Sequence, residues 1–181
     1  MLVSPVLLAA SLAVWASMGR PIFFRQARAG LDGNVFQILK LRSMRPPCAE
    51  TGGAGDLVPG TAPGGVEGAD RRTRVGAFLR RTSLDELPQL WNVLRGEMSL
   101  VGPRPERPEY VALFSDQIDR YGERHRVKAG ITGWAQVHGL RGQTSLADRV
   151  EWDNYYIENW SLSLDFKILL MTIAALFKRV E

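Results

Sequence analysis

The sequence predicts a single small α/β domain, helix-rich and of the α+β kind, with a short β-hairpin. Its 181 residues suffice for one ordinary domain, and 45 % apolar with 23 % charged residues is typical of a folded chain. Apolar residues with strand-like and helical spacing occur in separate stretches. This composition excludes a disordered tail and a polytopic membrane protein. We expect residues 1–19 to form a membrane-embedded helix and residues 20–181 to form the domain.

The N-terminal stretch from Met1 to Met18 carries no charged residue, and the first charge is Arg20. Because no basic residue precedes the apolar run, a cleaved secretory signal is not expected. A helix from Pro5 to Met18 would be about 21 Å long, whereas the hydrocarbon core of a bilayer is about 30 Å thick. Two interpretations remain: an embedded, non-spanning element, or a core helix with Ser4 as N-cap.

The next stretch, which ends at Met44, predicts the hairpin. Strand-favouring residues lie on both sides of an Asp32-Gly33 turn signal. Lys40 and Arg42 share one face of the second strand, where they form either a solvated edge or the start of a phosphate-binding surface. The strand-favouring residues are Ile22, Phe23, Phe24, Val35, Phe36, Ile38, Leu39 and Leu41.

Residues 46–70 differ in composition from the rest of the chain. They include seven glycines and four prolines among 25 residues, and scarcely any large apolar side chain. A loop of this length inside a compact domain is usually either functional or disordered. We therefore predict a flexible loop, with a lid over the site as the alternative.

A short helix predicted within Arg71–Arg81 leads into the segment TSLDELPQLWNVLRGEMSLVGPRPE, residues 82–106. Apolar residues at helical spacing predict the buried face of a helix that ends before Gly96: Leu87, Leu90, Trp91 and Leu94. The same helix carries a polar stripe of Asp85, Gln89 and Asn92. This stripe would either line a polar cleft or face solvent.

Three further stretches complete the pattern. Arg107–His125 predicts an amphipathic helix, which would pack on the core or lie at a membrane interface. Gly130–Gly142 predicts a glycine-punctuated loop that carries Gln136 and Arg141. Leu162–Phe177 predicts a strongly apolar helix, docked on the domain or lying in the interface.

Asp85 and Glu86 admit two interpretations. Ser83 and Glu86 fit the capping box S-x-x-E, which would give Glu86 a structural role. The alternative is catalysis, because Arg80 lies just before the pair and Arg104 lies between two prolines that stiffen its backbone. Carboxylates that bind Mg²⁺ beside guanidinium groups that bind phosphate suit phosphoryl transfer. A carboxylate can also attack phosphorus directly.

The sequence contains few residues of the kinds needed for a disulfide framework or for a zinc or haem site. Cys48 is the single cysteine, so an internal disulfide is excluded, and His125 and His138 are too few and too far apart to suggest a zinc or haem site. The net charge is +4, and 19 of the 23 basic residues are arginine, which is compatible with phosphate or nucleic-acid binding. We expect no nucleic-acid partner, because basic and acidic residues alternate and no nucleic-acid-binding motif occurs.

Four blocks of the sequence resemble the bacterial sugar transferase family, the monotopic phosphoglycosyl transferases. Together they cover nearly the whole chain apart from the predicted loop. The blocks are FRQARAGLDGNVFQILKLRSM from Phe24, TRVGAFLRRTSLDELPQLWNVLRGEMSLVGPRPE from Thr73, GITGWAQVHG from Gly130 and DNYYIENWSLSLDFKILLMT from Asp153.

The resemblance implies transfer of a sugar 1-phosphate from a UDP-sugar to polyprenyl (undecaprenyl) phosphate, with release of UMP. This would be the first step of exopolysaccharide, O-antigen or glycoprotein glycan assembly. It also implies contact with membrane lipid at the cytoplasmic face of the bacterial inner membrane. A non-catalytic membrane-associated scaffold is the alternative, and homo-oligomerisation is compatible with both.

The resemblance further implies that Asp85 is the nucleophile and an Mg²⁺ ligand, with Glu86 as its dyad partner. Arg80 and Arg104 match positions that hold phosphate. The remaining candidates for binding substrate or phosphate are Lys40, Arg42, Gln136 and Arg141, of which Arg141 stands one position later than the arginine of the family pattern.

One departure from the family concerns the N-terminus. In the family, a Ser-Pro pair breaks a longer hydrophobic helix into a re-entrant hairpin. Here only three residues precede Ser4. We therefore expect a truncated first arm.

Overall fold

The computed structural model describes residues 3–45, 71–140 and 144–177, so the predicted loop at 46–70 lies outside the described residues. The prediction of a helix-rich fold with a small β-hairpin is confirmed. The helices are α1 (Val3–Met18), α2 (Arg74–Arg81), α3 (Gln89–Leu94), α4 (Pro108–Ser115), α5 (Trp134–Val137), α6 (Leu146–Glu158) and α7 (Leu162–Phe177). The strands are β1 (Phe23–Ala29), β2 (Val35–Leu41), β3 (Ser99–Val101) and β4 (Gly130–Thr132).

The hairpin is built from β1 and β2, which pair antiparallel from Phe23 opposite Leu41 to Ala29 opposite Val35. Its turn contains the predicted Asp32-Gly33 pair, whose φ angles are 53° and 74°. Glycine adopts this left-handed region freely, and aspartate tolerates it better than most residues, which explains why this dipeptide closes the turn.

Helix α1 packs on the hairpin and on α2 through a narrow stripe. Ala10 and Val14 are buried against Leu41 of β2 and Leu79 of α2. The helix begins at Val3 and includes Ser4 and Pro5, so the interpretation of Ser4 as an N-cap is wrong.

The opposite face of α1 is apolar and exposed. Leu8, Leu12 and Trp15 are 62 %, 54 % and 53 % exposed. Within the described ranges, no helix has both the length and the apolar character needed to cross a bilayer.

A second sheet includes residues that were predicted to form a glycine-punctuated loop, because its strand β4 lies within Gly130–Gly142. β3 and β4 pair in parallel, with Ser99 opposite Gly130 and Val101 opposite Thr132. Residues 134–137 then form the short helix α5. The loop prediction was therefore wrong for these residues, whose glycines instead allow main chains to approach closely. A Cβ on Gly133 would lie 2.2 Å from the Gly102 carbonyl oxygen.

The predicted continuous helix over Arg107–His125 is interrupted. It divides into α4 and a 3-10 segment at Tyr121–Arg126, and Arg120 between them has a φ of 58°. A residue in the left-handed region cannot continue a right-handed helix. The break turns the 3-10 segment toward α6, against which it packs.

Helices α6 and α7 complete a second core. Val101, Trp134, Tyr156 and Ile168 are buried together in it. Helix α7 is described over Leu162–Phe177 and begins at the predicted residue, Leu162. Its exposed large apolar side chains are Leu162, Phe166, Leu170 and Ile173.

The apolar face predicted to be buried at α3 is not buried, and Leu87 and Leu90 of that face are only half-buried. Trp91 and Leu94, expected in the core, are 57 % and 79 % exposed. Asp85, Gln89 and Asn92, the polar stripe, are buried. Apolar periodicity marks one face of a helix but does not say what that face touches. Here hydrogen bonding of the polar face to the hairpin sets the orientation.

Candidate active site

The site is centred on Glu86, whose Oε1 atom accepts hydrogen bonds from two cationic side chains. The Lys40 Nζ lies 2.8 Å from this oxygen and the Arg104 Nη2 lies 2.9 Å from it. Lys40 comes from β2 and Arg104 from the Gly-Pro-Arg-Pro segment that follows β3. Three segments far apart in the chain therefore meet at one carboxylate.

The local chain path brings this carboxylate inward. Helix α2 ends at Thr82, and Ser83 then adopts a left-handed φ of 55° before a 3-10 turn at Leu84–Glu86. Ser83 makes no capping hydrogen bond through its side chain. The capping-box interpretation is therefore wrong, and the Glu86 carboxylate is left to pair with Lys40 and Arg104.

Asp85 is buried next to this cluster, with 8 % of its surface exposed. Its carboxylate makes no hydrogen bond or ion pair with any residue that the structure describes. Burial is the larger cause and repulsion from Glu86 the second cause of a rise in the pKa of Asp85 to about 6. The positive charges of Lys40, Arg80 and Arg104 lower this pKa and only partly offset the rise.

The two cations have the opposite effect on Glu86. Burial alone would raise the pKa of Glu86, but the charges and hydrogen bonds of Arg104 and Lys40 outweigh it and hold the pKa below its usual range. Burial and the nearby Arg104 in turn lower the pKa of Lys40. At neutral pH the site thus holds an ionised Glu86 beside an Asp85 that titrates only slightly below neutrality.

Asn92 anchors the strand that carries Lys40. Its Oδ1 accepts the Leu39 backbone N–H at 3.0 Å, and its Nδ2 donates to the Gln37 carbonyl at 2.8 Å and to Glu97 at 2.7 Å. The amide thereby takes the place of a neighbouring strand along the open edge of β2. The sequence indicated Asn92 as a polar residue on α3 but not this structural role.

Arg104 is held through its main chain and its flanking residues. Arg28 of β1 donates to the Pro105 carbonyl at 3.1 Å and to Glu106 at 3.3 Å. Arg124 donates to the carbonyl of Arg104 itself at 3.1 Å. No periodicity or motif in the sequence singled out Arg28 or Arg124. Arg28 lies in the first of the four blocks that resemble the family, and Arg124 lies in none of them.

The other predicted site residues lie outside this ion cluster. Arg42 donates to the Met18 carbonyl at the end of α1. Arg80 is exposed, 3.6 Å from the Met44 sulfur, and its charge acts on Asp85. Gln136 is buried and donates to the Ile131 carbonyl at 3.4 Å. Arg141 lies outside the described residues.

The carboxylates offer limited metal-binding capacity by themselves. The described parts of the chain contain no group of three or more histidine, cysteine, aspartate and glutamate side chains arranged to hold a metal ion. The Oε1 atom of Glu86 is already engaged by Lys40 and Arg104. Among the described residues, the acidic oxygens of this cluster that carry no hydrogen bond or ion pair are those of Asp85 and the Oε2 atom of Glu86.

Curated proteins similar to this chain have related names. A UDP-glucose:undecaprenyl-phosphate glucose-1-phosphate transferase from Caulobacter vibrioides is 48 % identical over 179 residues, 97 % of this chain and 64 % of that protein. A protein of the same name from Escherichia coli K12 is 45 % identical over 177 residues, 96 % of this chain and 36 % of that protein. An exopolysaccharide production protein from Rhizobium leguminosarum is 36 % identical, covering 97 % of this chain and 87 % of that protein.

The share of each relative's length that aligns with this chain differs among the three proteins. It spans roughly a third to two thirds of the two glucose-1-phosphate transferases and most of the Rhizobium protein. The family model described as bacterial sugar transferase matches residues 1–179. The match includes Lys40, Asp85, Glu86 and Arg104. This chain therefore belongs to the bacterial sugar transferase family.

Proposed function

We propose that this chain transfers a sugar 1-phosphate from a UDP-sugar to a polyprenyl phosphate, producing a polyprenyl diphosphate sugar and UMP. One observation carries the proposal: a buried Asp85, with no ion pair to the residues that the structure describes, lies beside a Glu86 held by Lys40 and Arg104. The names of the similar glucose-1-phosphate transferases support the same reaction class.

In the first step, an Asp85 oxygen attacks the phosphorus that bears the sugar. A bond forms between this oxygen and the phosphorus, while the bond from the phosphorus to the bridging oxygen breaks. UMP leaves with the bridging oxygen, and Asp85 carries the sugar phosphate covalently. A pKa of about 6 leaves Asp85 mostly ionised at neutral pH yet poorly solvated, which favours its use as a nucleophile.

In the second step, a phosphate oxygen of the polyprenyl phosphate attacks the same phosphorus. The aspartyl oxygen–phosphorus bond breaks, so Asp85 returns to its carboxylate form. No redox change occurs, and each step exchanges one oxygen–phosphorus bond for another. Splitting the transfer in this way lets two bulky phosphates react in turn at one position.

The cations of the site supply charge stabilisation. Phosphoryl transfer depends mostly on positioning and on neutralising the phosphate oxygens. Lys40 and Arg104 are fixed by Glu86 before any substrate binds, so little side-chain entropy is lost when phosphate arrives. Arg80, exposed but close enough to act on Asp85, is suited to the outer phosphate.

Magnesium fits this donor set. Mg²⁺ in phosphoryl-transfer sites is usually bound by one or two carboxylates, with substrate phosphates and water completing its coordination. Asp85 would hold the ion, with the Oε2 atom of Glu86 as a further oxygen nearby, and a single carboxylate suffices when a diphosphate supplies other oxygens. Bound there, the ion would neutralise charge on the diphosphate.

We further propose that the protein works at the cytoplasmic face of the bacterial inner membrane. The outer faces of α1 and α7 expose many large apolar side chains, and a polyprenyl phosphate is itself held in a bilayer. Among the exposed side chains, Trp15 and Trp160 are of the type found at membrane–water interfaces.

The reaction is tested by measuring UMP release from the purified chain in detergent with Mg²⁺, undecaprenyl phosphate and a panel of UDP-sugars. Asp85→Asn is expected to lower the rate about a thousandfold or more, since it removes the nucleophile. Asp116→Asn, an exposed carboxylate on α4's C-terminal side, is the matched control and should retain the wild-type rate.

Trapping separates the two steps. Incubation with radiolabelled UDP-sugar alone, followed by acid quenching, should leave label on the wild-type chain and none on Asp85→Asn. UMP release that persists in Asp85→Asn would overturn the assignment of the nucleophile. Continued UMP release over many turnovers without undecaprenyl phosphate, beyond the single equivalent that the first step produces, would overturn the acceptor.

A further inference from the structure

A buried ion pair lies behind the site and is not accounted for by the transfer chemistry. Arg124, in the 3-10 segment Tyr121–Arg126, donates from Nε to Asp153 of α6 at 2.9 Å, and its Nη2 lies 2.8 Å from the same oxygen as an ion pair. The two side chains are 2 % and 3 % exposed. Neither lies in the Glu86 cluster.

The pair is connected to the site through the backbone. The Nη2 atom of Arg124 also donates to the carbonyl of Arg104, at 3.1 Å. The guanidinium thus donates from Nε to Asp153 and from Nη2 to Arg104. The guanidinium links α6 to the residue whose side chain meets Glu86.

The stretch around Arg104 is held by main-chain hydrogen bonds on both sides: the Gly102 N–H donates to the Thr132 carbonyl at 2.9 Å, and the Glu106 carbonyl accepts from the Ala29 N–H at 2.8 Å. Pro103 and Pro105 have no N–H to donate, so carbonyl groups carry much of the anchoring. Gly130 N–H donates to the Pro103 carbonyl at 2.9 Å, and Arg28 donates to the Pro105 carbonyl at 3.1 Å. Arg124 holds the carbonyl between these two.

Stability alone is a weak explanation for such a pair. Burying two charges costs much of what their attraction returns, and well-packed apolar residues often replace a buried pair without loss of stability. Apolar residues, however, cannot donate to the Arg104 carbonyl. A lysine could not donate to both partners with the fixed planar geometry of a guanidinium.

We propose that Arg124 and Asp153 are positioning residues that fix the main chain of Arg104, so that its guanidinium is held against Glu86 and ready for phosphate. Asp153 orients Arg124, and Arg124 orients Arg104. The effect on turnover rests on the proposed function, whereas the effect on the backbone does not.

A double-mutant cycle tests the proposal. Asp153→Asn should lower kcat by about tenfold to a hundredfold in the wild-type background, since small misplacements of a phosphate-binding group cost that much. In an Arg104→Gln background the same change should lower kcat less than about twofold, because the group being positioned is gone. Equal losses in both backgrounds would overturn the proposal.

Tyr156→Phe is the matched control. Tyr156 is buried one helical turn after Asp153 on α6, and its hydroxyl donates to Asp165 at 2.8 Å. Its loss should lower stability without coupling to Arg104. Coupling of Tyr156→Phe to Arg104→Gln as large as that of Asp153→Asn would show a general effect of α6 and overturn the specific role.

Asp153→Asn leaves the Arg124 charge buried without its partner and could fold poorly, so a second variant removes both charges of the pair. Arg124→Met combined with Asp153→Leu removes both charges together and is expected to fold. It should nevertheless lose about as much kcat as Arg104→Gln. A folded double variant with wild-type kcat would overturn the proposal.

Hydrogen exchange gives a readout that needs no turnover. In Asp153→Asn, amide exchange should accelerate in the peptide that covers residues 101–107 and stay at the wild-type rate in α7. Unchanged exchange at 101–107 would overturn the positioning role. If the wild-type chain released no UMP, the proposed function would fail, and this exchange measurement would still decide the positioning role.

Discussion

Asp85 and Glu86 are consecutive residues whose carboxyl pKa values move in opposite directions: that of Asp85 rises to about 6 and that of Glu86 falls below its usual range. Burial acts on both side chains, but of the two carboxylates it is Glu86 that accepts the hydrogen bonds of Lys40 and Arg104. Glu86 therefore keeps its charge across the physiological range. Asp85 is the carboxyl that changes its protonation state near neutrality.

This difference predicts a stability gain on loss of the Asp85 charge. An acid with a raised pKa in the folded state destabilises the fold as pH rises through the window between its unfolded and folded pKa values, here from 3.8 to about 6. Asp85→Asn should therefore increase the free energy of unfolding at pH 8, by up to about 3 kcal/mol. The gain should shrink toward zero as pH falls to 4.

Denaturant unfolding of both proteins in the same detergent at pH 4, 6 and 8 measures this gain. An Asp85→Asn protein that is no more stable than wild type at pH 8 would contradict the prediction. Asp116→Asn serves as the control, because its exposed carboxylate should give no such trend.

Removing the Glu86 charge should shift the pH dependence of the reaction. Glu86 raises the pKa of Asp85 by repulsion, and it also neutralises Lys40 and Arg104, which lower that pKa. In Glu86→Gln both changes favour ionised Asp85, so the acid limb of the kcat/KM profile should move to lower pH by about one unit.

The profile is measured by UMP release between pH 4.5 and 8. Glu109→Gln, whose side chain is 55 % exposed, should keep the wild-type limb. A shift of the Glu86→Gln limb toward higher pH would show that another group controls the rate.

Close packing at the second sheet predicts a large difference between two glycine substitutions. A Cβ on Gly133 would lie 2.2 Å from the Gly102 carbonyl oxygen, whereas one on Gly122 would have nothing within 4 Å. Gly133→Ala should lower the free energy of unfolding by about 1–3 kcal/mol or more, because backbone must move. Gly122→Ala should change it little. Thermal melts that rank the two substitutions the other way would refute this packing.

The outward face of α3 predicts an effect on bilayer binding. Trp91 and Leu94 are 57 % and 79 % exposed, so replacing both with serine should leave stability in detergent nearly unchanged. We expect this exposed apolar face to contact lipid as well, so affinity for vesicles of anionic phospholipid should fall about tenfold or more. Vesicle flotation of wild type and variant measures this. Equal binding would place α3 away from the bilayer.

Sequence patterns predicted the elements whose determinants are local. The hairpin follows from alternating strand formers around Asp32-Gly33, and α7 follows from a long apolar run that begins at Leu162. The pair Asp85 and Glu86 was also evident, since carboxylates beside arginines form a contiguous pattern. Sequence spacing could not say whether Glu86 caps a helix or binds cations, because both uses fit Ser-x-x-Glu.

Tertiary structure decided which partners those residues meet. Lys40 reaches Glu86 across 46 positions, and Arg124 reaches Arg104 across 20, through contacts that no local periodicity encodes. The orientation of α3 was likewise set by Asn92 bonding to the edge of β2, against the usual expectation for its apolar face. The sequence by itself determined the family pattern and the local elements. Only folding determined the charge balance that separates the pKa values of Asp85 and Glu86, because that balance depends on burial and on groups brought together from distant segments.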